Sequence, residues 1–237
     1  MNKLGFLFLS AALVALPVSG MAAYEGGDVK DGGSISGTVK FKGNAPAPKK
    51  LDVGKDKEVC AKTPKTDQSL IVNGGNLVNA VVTITDIKKG KKMQLKKVTL
   101  DQNGCEYKPH VLAFPAGTTV EILNPDGILH NVHSYSKVNS PFNQAQPKFK
   151  KTLGVKIEKP EAVELKCDVH GWMQGWLVAT ENPYFSVTDN SGGFKLIDVP
   201  AGTYTIEVWH EKLGKSSQKV TVKAKEEAKV TFEVAGK

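Results

Sequence analysis

The chain has 237 residues, enough for two small domains or one large β-sandwich, and its formal net charge is +8. All of its basic residues are lysine, whereas nucleic-acid binders favour arginine for bidentate contacts with bases and phosphates. The composition therefore argues against nucleic-acid binding. It indicates a solvated basic surface that can steer an acidic partner.

The N-terminus has the pattern of a secretory signal peptide. Lys3 precedes an apolar run from Leu4 to Val18, and small residues then lead to a predicted cleavage near Ala22 or Ala23. The run is shorter than the ~20 apolar residues of a typical membrane span. We therefore expect a signal peptide at 1–23, a flexible stretch at 24–32, and a periplasmic or secreted protein without a membrane span.

Beyond residue 32 the sequence predicts many short strands and no convincing helix. Clusters of glycine, proline and asparagine separate runs that are β-branched or alternate between apolar and polar residues. This pattern predicts an all-β protein built from β-sandwiches. The predicted strands are 36–41, 80–85, 97–100, 118–123, 162–166, 185–188, 204–208, 218–222 and 229–234.

Cys167, His170 and Met173 follow the spacing C-x2-H-x2-M and are the strongest functional signal in the chain. A thiolate, an imidazole and a thioether suit copper better than zinc, and two histidines with one cysteine and a weak axial methionine are typical of electron-transfer copper sites. The second histidine must come from elsewhere, and the string His130-Asn131-Val132-His133 offers two. Side chains three residues apart on an extended segment point to opposite faces, so we do not expect both to bind one ion.

Residues 94–182 resemble a cupredoxin of the plastocyanin and amicyanin type. A Pro-Ala-Gly turn at 115–117 leads into the strand 118–123 and the His-Asn-Val string, and the C-x2-H-x2-M loop precedes a final strand. The resemblance implies a Greek-key β-sandwich that holds one type 1 copper ion through His130, Cys167, His170 and Met173. It further implies that Asn131 links the two ligand loops by hydrogen bonding, and that His133 is a surface or packing residue.

A second resemblance, to a carboxypeptidase regulatory-like (transthyretin-like) β-sandwich, is carried by residues on both sides of this segment. The stretches 185–189, 193–196 and 199–204 match its second half, and 37–39, 43–46 and 80–82 match its first half. We therefore expect a split sandwich of residues 33–93 plus 183–237, with the cupredoxin domain of 94–182 inserted at exposed loops. The alternative layout is an N-terminal extension followed by an independent C-terminal domain.

The cysteine count predicts one disulfide. With Cys167 reserved for the metal, Cys60 and Cys105 are left to pair in an oxidising compartment. The alternative is that Cys105 is a metal ligand beside His110. Otherwise we interpret His110 as a surface histidine or an additional weak copper site, and His210 as a packing or solvent-facing residue.

The function expected from these signals is that of a non-enzymatic one-electron carrier between unidentified redox proteins. No catalytic triad, phosphate-binding loop or paired acidic motif is present in the sequence, and Lys166 and Asp168, rather than histidines, flank Cys167. The sequence leaves two alternatives open. One is a copper-binding module for metal delivery or storage, and the other is an extracellular structural or adhesion protein.

Overall fold

The computed structural model describes residues 24–236, so the predicted signal peptide lies outside the described residues. In the described part, regular structure is strand apart from one four-residue helix, α1 (Lys57–Cys60), and the predicted all-β class is confirmed. No helix within residues 24–236 is long and apolar enough to cross a membrane. The strands are β1 (Glu25–Gly27), β2 (Gly33–Lys42), β3 (Lys50–Leu51), β4 (Lys65–Thr66), β5 (Val72–Asn73), β6 (Asn76–Leu77), β7 (Val81–Ile84), β8 (Lys89–Lys91), β9 (Val98–Gln102), β10 (Tyr107–Lys108), β11 (Val111–Pro115), β12 (Thr119–Leu123), β13 (His130–Tyr135), β14 (Asn143–Gln146), β15 (Thr152–Lys156), β16 (Glu161–Lys166), β17 (Gln174–Thr180), β18 (Phe185–Val187), β19 (Gly193–Val199), β20 (Gly202–His210), β21 (Gly214–Val222) and β22 (Glu227–Ala235).

Strands β9 to β17 form a sandwich of two sheets, which we call the first sandwich. One sheet has the order β10-β9-β12-β15 and the other has the order β11-β17-β16-β13-β14. Apolar and polar residues alternate along β12 and β15, so every second side chain turns into the core and the others face solvent. Fully buried apolar side chains fill the space between the sheets, among them Leu100, Phe114, Ile122, Val163 and Leu165.

A second sandwich combines strands from both ends of the described chain. Its sheets have the orders β18-β7-β20-β21 and β19-β2-β6-β5, and β22 pairs with β2 in parallel. Strands β2 and β7 precede the first sandwich in sequence, whereas β18 to β22 follow it. The division into 33–93 plus 183–237 and 94–182 stays a prediction, as does the transthyretin-like relationship.

Residues 50–69 leave the second sandwich and cover one end of the first; we call this segment the strap. Cys60 is part of the buried core of the first sandwich, and Val53 and Val59 pack against that core. A disulfide between Cys60 and Cys105 fixes the strap there. The strap falls within the range 33–93 that is predicted for the second sandwich, but its apolar side chains pack against the core of the first sandwich.

The two sandwiches meet through a small apolar cluster and a buried contact between a histidine and a carboxylate. Trp176 of β17 lies edge-on to Trp209 of β20, with ring centroids 5.1 Å apart. Beside them, His110 Nε2 contacts a carboxylate oxygen of Glu211, and both side chains are almost fully buried. The interpretation of His110 as a surface histidine is therefore wrong, because Glu211 of the second sandwich covers it.

His210 gives the fold a measurable pH dependence. Its ring is buried, and its Nδ1 accepts a hydrogen bond from the Lys212 amide, which requires the neutral form. Burial is the largest influence and lowers the pKa of His210 to about 4. The unfolded chain takes up this proton near the ordinary pKa of 6.5, whereas the folded protein does so only near pH 4. The contribution of neutral His210 to the free energy of unfolding is therefore complete above pH 6.5 and is lost as the pH falls towards 4.

We expect the unfolding free energy of the wild type to fall by about 3 kcal/mol more than that of His210→Gln between pH 7 and pH 4. The glutamine variant cannot titrate at this position, so the comparison cancels the other ionisable groups. Urea unfolding at each pH measures the difference. Parallel pH profiles for the two proteins would contradict the expectation.

Candidate metal centre

The predicted ligands lie at one end of the first sandwich because two paired strands carry them there. His130 begins β13, and Cys167 directly follows β16, its antiparallel neighbour, in which Lys166 faces His133. The ligand loop after Cys167 is a tight turn, closed by hydrogen bonds from Met173 N to His170 O (2.9 Å) and from Cys167 N to Met173 O (3.3 Å). Two strand ends and one turn therefore bring distant residues together.

Three of the four predicted ligands form a compact buried cluster. The Nδ1 atoms of His130 and His170 are 3.0 Å apart, and Cys167 Sγ is 3.7 Å from His170 Nδ1. One candidate donor atom from each of the three lies within 4.8 Å of the others. All three side chains are buried, and Met173 is buried in the same core cluster as Cys167.

Carboxylates hold the outer nitrogen of each imidazole. Asp126 Oδ2 lies 2.9 Å from His130 Nε2, and Asp56 Oδ2 lies 2.8 Å from His170 Nε2. Each pair fixes the ring so that Nδ1 faces the cluster, and a carboxylate partner raises the basicity of a ligating imidazole. Neither aspartate is among the site residues predicted from the sequence. Asp126 is signalled only by its position four residues before His130, and Asp56 lies in the strap, where no motif marks it.

The Cys167 side chain is set up to bind as a thiolate. Burial by itself raises the pKa of a thiol, but hydrogen bonds from His130, His170 and the Asn131 amide outweigh it and lower the pKa of Cys167 to about 6. The Asn131 amide nitrogen lies 3.5 Å from Cys167 Sγ. At neutral pH the cluster therefore favours the form of cysteine that binds metals.

Asn131 and His133 occupy different places around this cluster. Asn131 Oδ1 accepts a hydrogen bond from the Asp168 amide, and its Nδ2 donates to the Asp168 carboxylate at 3.2 Å, so this residue joins the two ligand loops. The His133 side chain is 30% exposed and its Nδ1 lies 3.1 Å from Asp168 Oδ1, outside the cluster. His133 also stacks on Tyr135 at a centroid distance of 4.4 Å.

The disulfide lies against the cluster and anchors the strap over it. Cys60 and Cys105, 45 residues apart, are bonded, so the alternative role of Cys105 as a metal ligand beside His110 is wrong. Sulfur atoms of both cysteines lie within 4.8 Å of a ring nitrogen of His170. Trp172 Nε1 donates to the Cys105 carbonyl at 3.1 Å, and the Trp172 ring lies 5.2 Å from the His170 ring.

The donor set fits copper. Two imidazole nitrogens directed inward, one thiolate and a buried thioether nearby match the ligands of a mononuclear electron-transfer copper site. Zinc sites require four firm nitrogen, sulfur or oxygen ligands, and both nearby carboxylates are engaged by the outer histidine nitrogens instead.

Substitution of the two candidate histidines separates their roles. His130→Ala should open the centre, because it removes a donor from the cluster, and added imidazole should restore visible absorption to the copper-loaded variant. His133→Ala should leave the spectrum nearly unchanged, because its ring faces Asp168 and solvent. Visible spectra of both loaded variants with and without imidazole test this, and the reverse pattern would assign the ligand role to His133.

Comparison with known proteins gives partial matches. The family model described as "Polysaccharide lyase family 4, domain II" matches residues 160–230, which span β16 and β17 of the first sandwich and β18 to β21, with the start of β22, of the second. No curated protein matches the chain.

Solved structures with a partial likeness include copper proteins. Amicyanin from Paracoccus versutus is 18% identical over 42% of this chain and 97% of its own, with a TM-score of 0.32. A purple cupredoxin from Nitrosopumilus maritimus is 21% identical over 35% of this chain and 99% of its own, with a TM-score of 0.31. A copper-containing nitrite reductase from Thermus scotoductus is 17% identical over 61% of this chain and only 28% of its own, with a TM-score of 0.34.

Proposed function

We propose that this protein binds a single copper ion through His130, Cys167, His170 and Met173 and carries single electrons between redox proteins, without catalytic turnover of its own. The observation that carries the proposal is the buried convergence of two Nδ1 atoms and the Cys167 sulfur, with each outer imidazole nitrogen held by an aspartate. Copper in such a set of ligands supplies a one-electron couple.

The protein's own contribution is a rigid and dry set of ligands. Paired strands fix His130 and Cys167, and the disulfide and the strap fix the surroundings of His170. Ligands that cannot rearrange between the two oxidation states keep the energetic cost of electron exchange low. Burial of the ligand side chains also keeps competing water and small ions away.

We also propose a periplasmic or secreted location. The predicted signal peptide supports it, and so does the disulfide, because disulfides persist in oxidising compartments. The runner-up function is copper delivery or storage, in which the metal must leave readily.

Voltammetry and metal release together distinguish the two functions. An electron carrier should give a reversible one-electron wave at an electrode, and should keep its copper(I) for hours in the presence of a copper(I) chelator such as bathocuproine disulfonate. Loss of copper within seconds to a chelator, together with an irreversible wave, would favour delivery and contradict the proposal.

Met173→Leu should keep copper but change its properties. The thioether is expected to be a weak axial ligand, so its loss should shift the reduction potential and alter the rate of copper loss while the visible band remains. Voltammetry and chelator competition on the loaded variant measure both quantities. Complete loss of copper binding would show that Met173 contributes more than an axial contact.

A further inference from the structure

The cluster is closed to solvent on the His170 side. The His170 ring is fully buried, and its outer nitrogen is covered by Asp56 of the strap. Trp172 and the disulfide pack beside it. A partner that exchanges electrons with the centre therefore cannot reach the His170 ring directly.

The His130 side has a different surface. Leu129, directly before His130, is 44% exposed, and Phe149 is 81% exposed. Asn124 joins the loop that contains Leu129 to the loop that contains Phe149. Its side-chain Nδ2 donates to the carbonyls of Ile128 and Gln146 at 2.9 Å each. The backbone N–H of Asn124 also donates to the Lys151 carbonyl at 2.9 Å, which places the loop 147–151 beside the loop 124–129.

Three lysines lie beside Phe149 in the loop 147–151. Lys148 and Lys151 are exposed and Lys150 is half-buried, and all three flank Phe149. Asp126 is the one carboxylate within residues 124–130 and 147–151, and its oxygens are engaged by His130 Nε2 and by the Gly104 and Cys105 amides. The two neighbouring loops therefore carry two exposed apolar side chains, Leu129 and Phe149, and three lysines.

We propose that Leu129 and Phe149, with the rim of Lys148, Lys150 and Lys151, form the docking surface for an acidic redox protein, which exchanges electrons with the centre through the His130 loop. This inference rests on the proposed function. An apolar centre with a charged rim is the anatomy of protein interfaces, and small interfaces suit short-lived redox encounters. The lysine rim attracts an acidic partner and accelerates the encounter at low salt.

The test is stopped-flow reduction of the copper(II)-loaded protein by a reduced, acidic plant-type ferredoxin at low ionic strength. The triple variant Lys148→Gln, Lys150→Gln, Lys151→Gln should react about tenfold more slowly than the wild type, with a weaker dependence on salt. Phe149→Ser should also slow the reaction. The control for the lysine variant is a second triple variant, Lys40→Gln, Lys219→Gln, Lys229→Gln, and the control for Phe149→Ser is Ile197→Ser. These substitutions change exposed residues of the second sandwich, so both control proteins should react like the wild type.

A second readout needs no bound copper. Hexacyanochromate(III), a paramagnetic anion, should broaden the amide NMR signals of 128–130 and 147–151 in the metal-free wild type. The triple variant Lys148→Gln, Lys150→Gln, Lys151→Gln should lose this effect. If the docking-surface variants and the control variants reacted at equal rates, or if the broadening were centred elsewhere, the proposed docking surface would be wrong. A reversible wave at the electrode would in that case still support the proposed function. Absence of that wave in the wild type would remove both.

Discussion

Replacing Cys167 by serine should abolish the intense visible absorption of the copper-loaded protein. That absorption arises from charge transfer between thiolate sulfur and copper, and Cys167 is the one thiol in the described part of the chain that is not in a disulfide. Affinity for copper should fall by more than about 100-fold, because even changes to groups that only support metal ligands typically cost about 10–100-fold. Visible titration with copper(II) and chelator competition measure the two effects.

The far-ultraviolet circular dichroism spectrum provides the control for this substitution. Serine is close to cysteine in size, and the surrounding β-sheets do not depend on the thiol, so the variant should keep the β-type spectrum of the wild type. A folded Cys167→Ser protein that retained the visible band would show that the thiolate of Cys167 is not a ligand.

Removal of the disulfide should produce the second large effect. Cys60 and Cys105 close a loop of 45 residues, and opening such a loop costs about 3–4 kcal/mol of unfolding free energy on the chain-entropy account. The double variant Cys60→Ala, Cys105→Ala should therefore unfold at lower urea concentration. It should also lose copper faster, because the strap that carries Asp56 is no longer anchored over His170.

Asp56→Asn separates these two consequences. This variant keeps the disulfide and should keep nearly all of the stability, since the Asp56 side chain is partly exposed, but it loses the negative charge beside His170 Nε2. Faster copper release without a large change in urea unfolding is the expected result.

If the double variant Cys60→Ala, Cys105→Ala were as stable as the wild type, the strap would not be an element of the folded core.

Much of this architecture can be predicted from the sequence, because its signals are local. The alternation along 118–123 and the turn residues before it determine a strand, and the spacing of Cys167, His170 and Met173 places three donors in one short turn. The pairing of Cys60 with Cys105 follows from the cysteine count once Cys167 is assigned to a metal.

The strap and its contacts could not be predicted, because they depend on long-range packing. Asp56 contacts a histidine 114 residues away, and no pattern around it signals that partner. The burial of His110 likewise depends on Glu211, which lies 101 residues away on the other sandwich. Local propensity contains no information about such pairs, and only the arrangement of the sheets brings them together.

Anomalous diffraction at the copper edge, from crystals of the copper-loaded protein, locates the metal itself. We expect one copper peak per chain, within bonding distance of Cys167 Sγ and of the Nδ1 atoms of His130 and His170, with Met173 nearest among the remaining side chains. A peak beside His110 and Glu211 or beside His133 and Asp168, with none between the three predicted ligands, would contradict it.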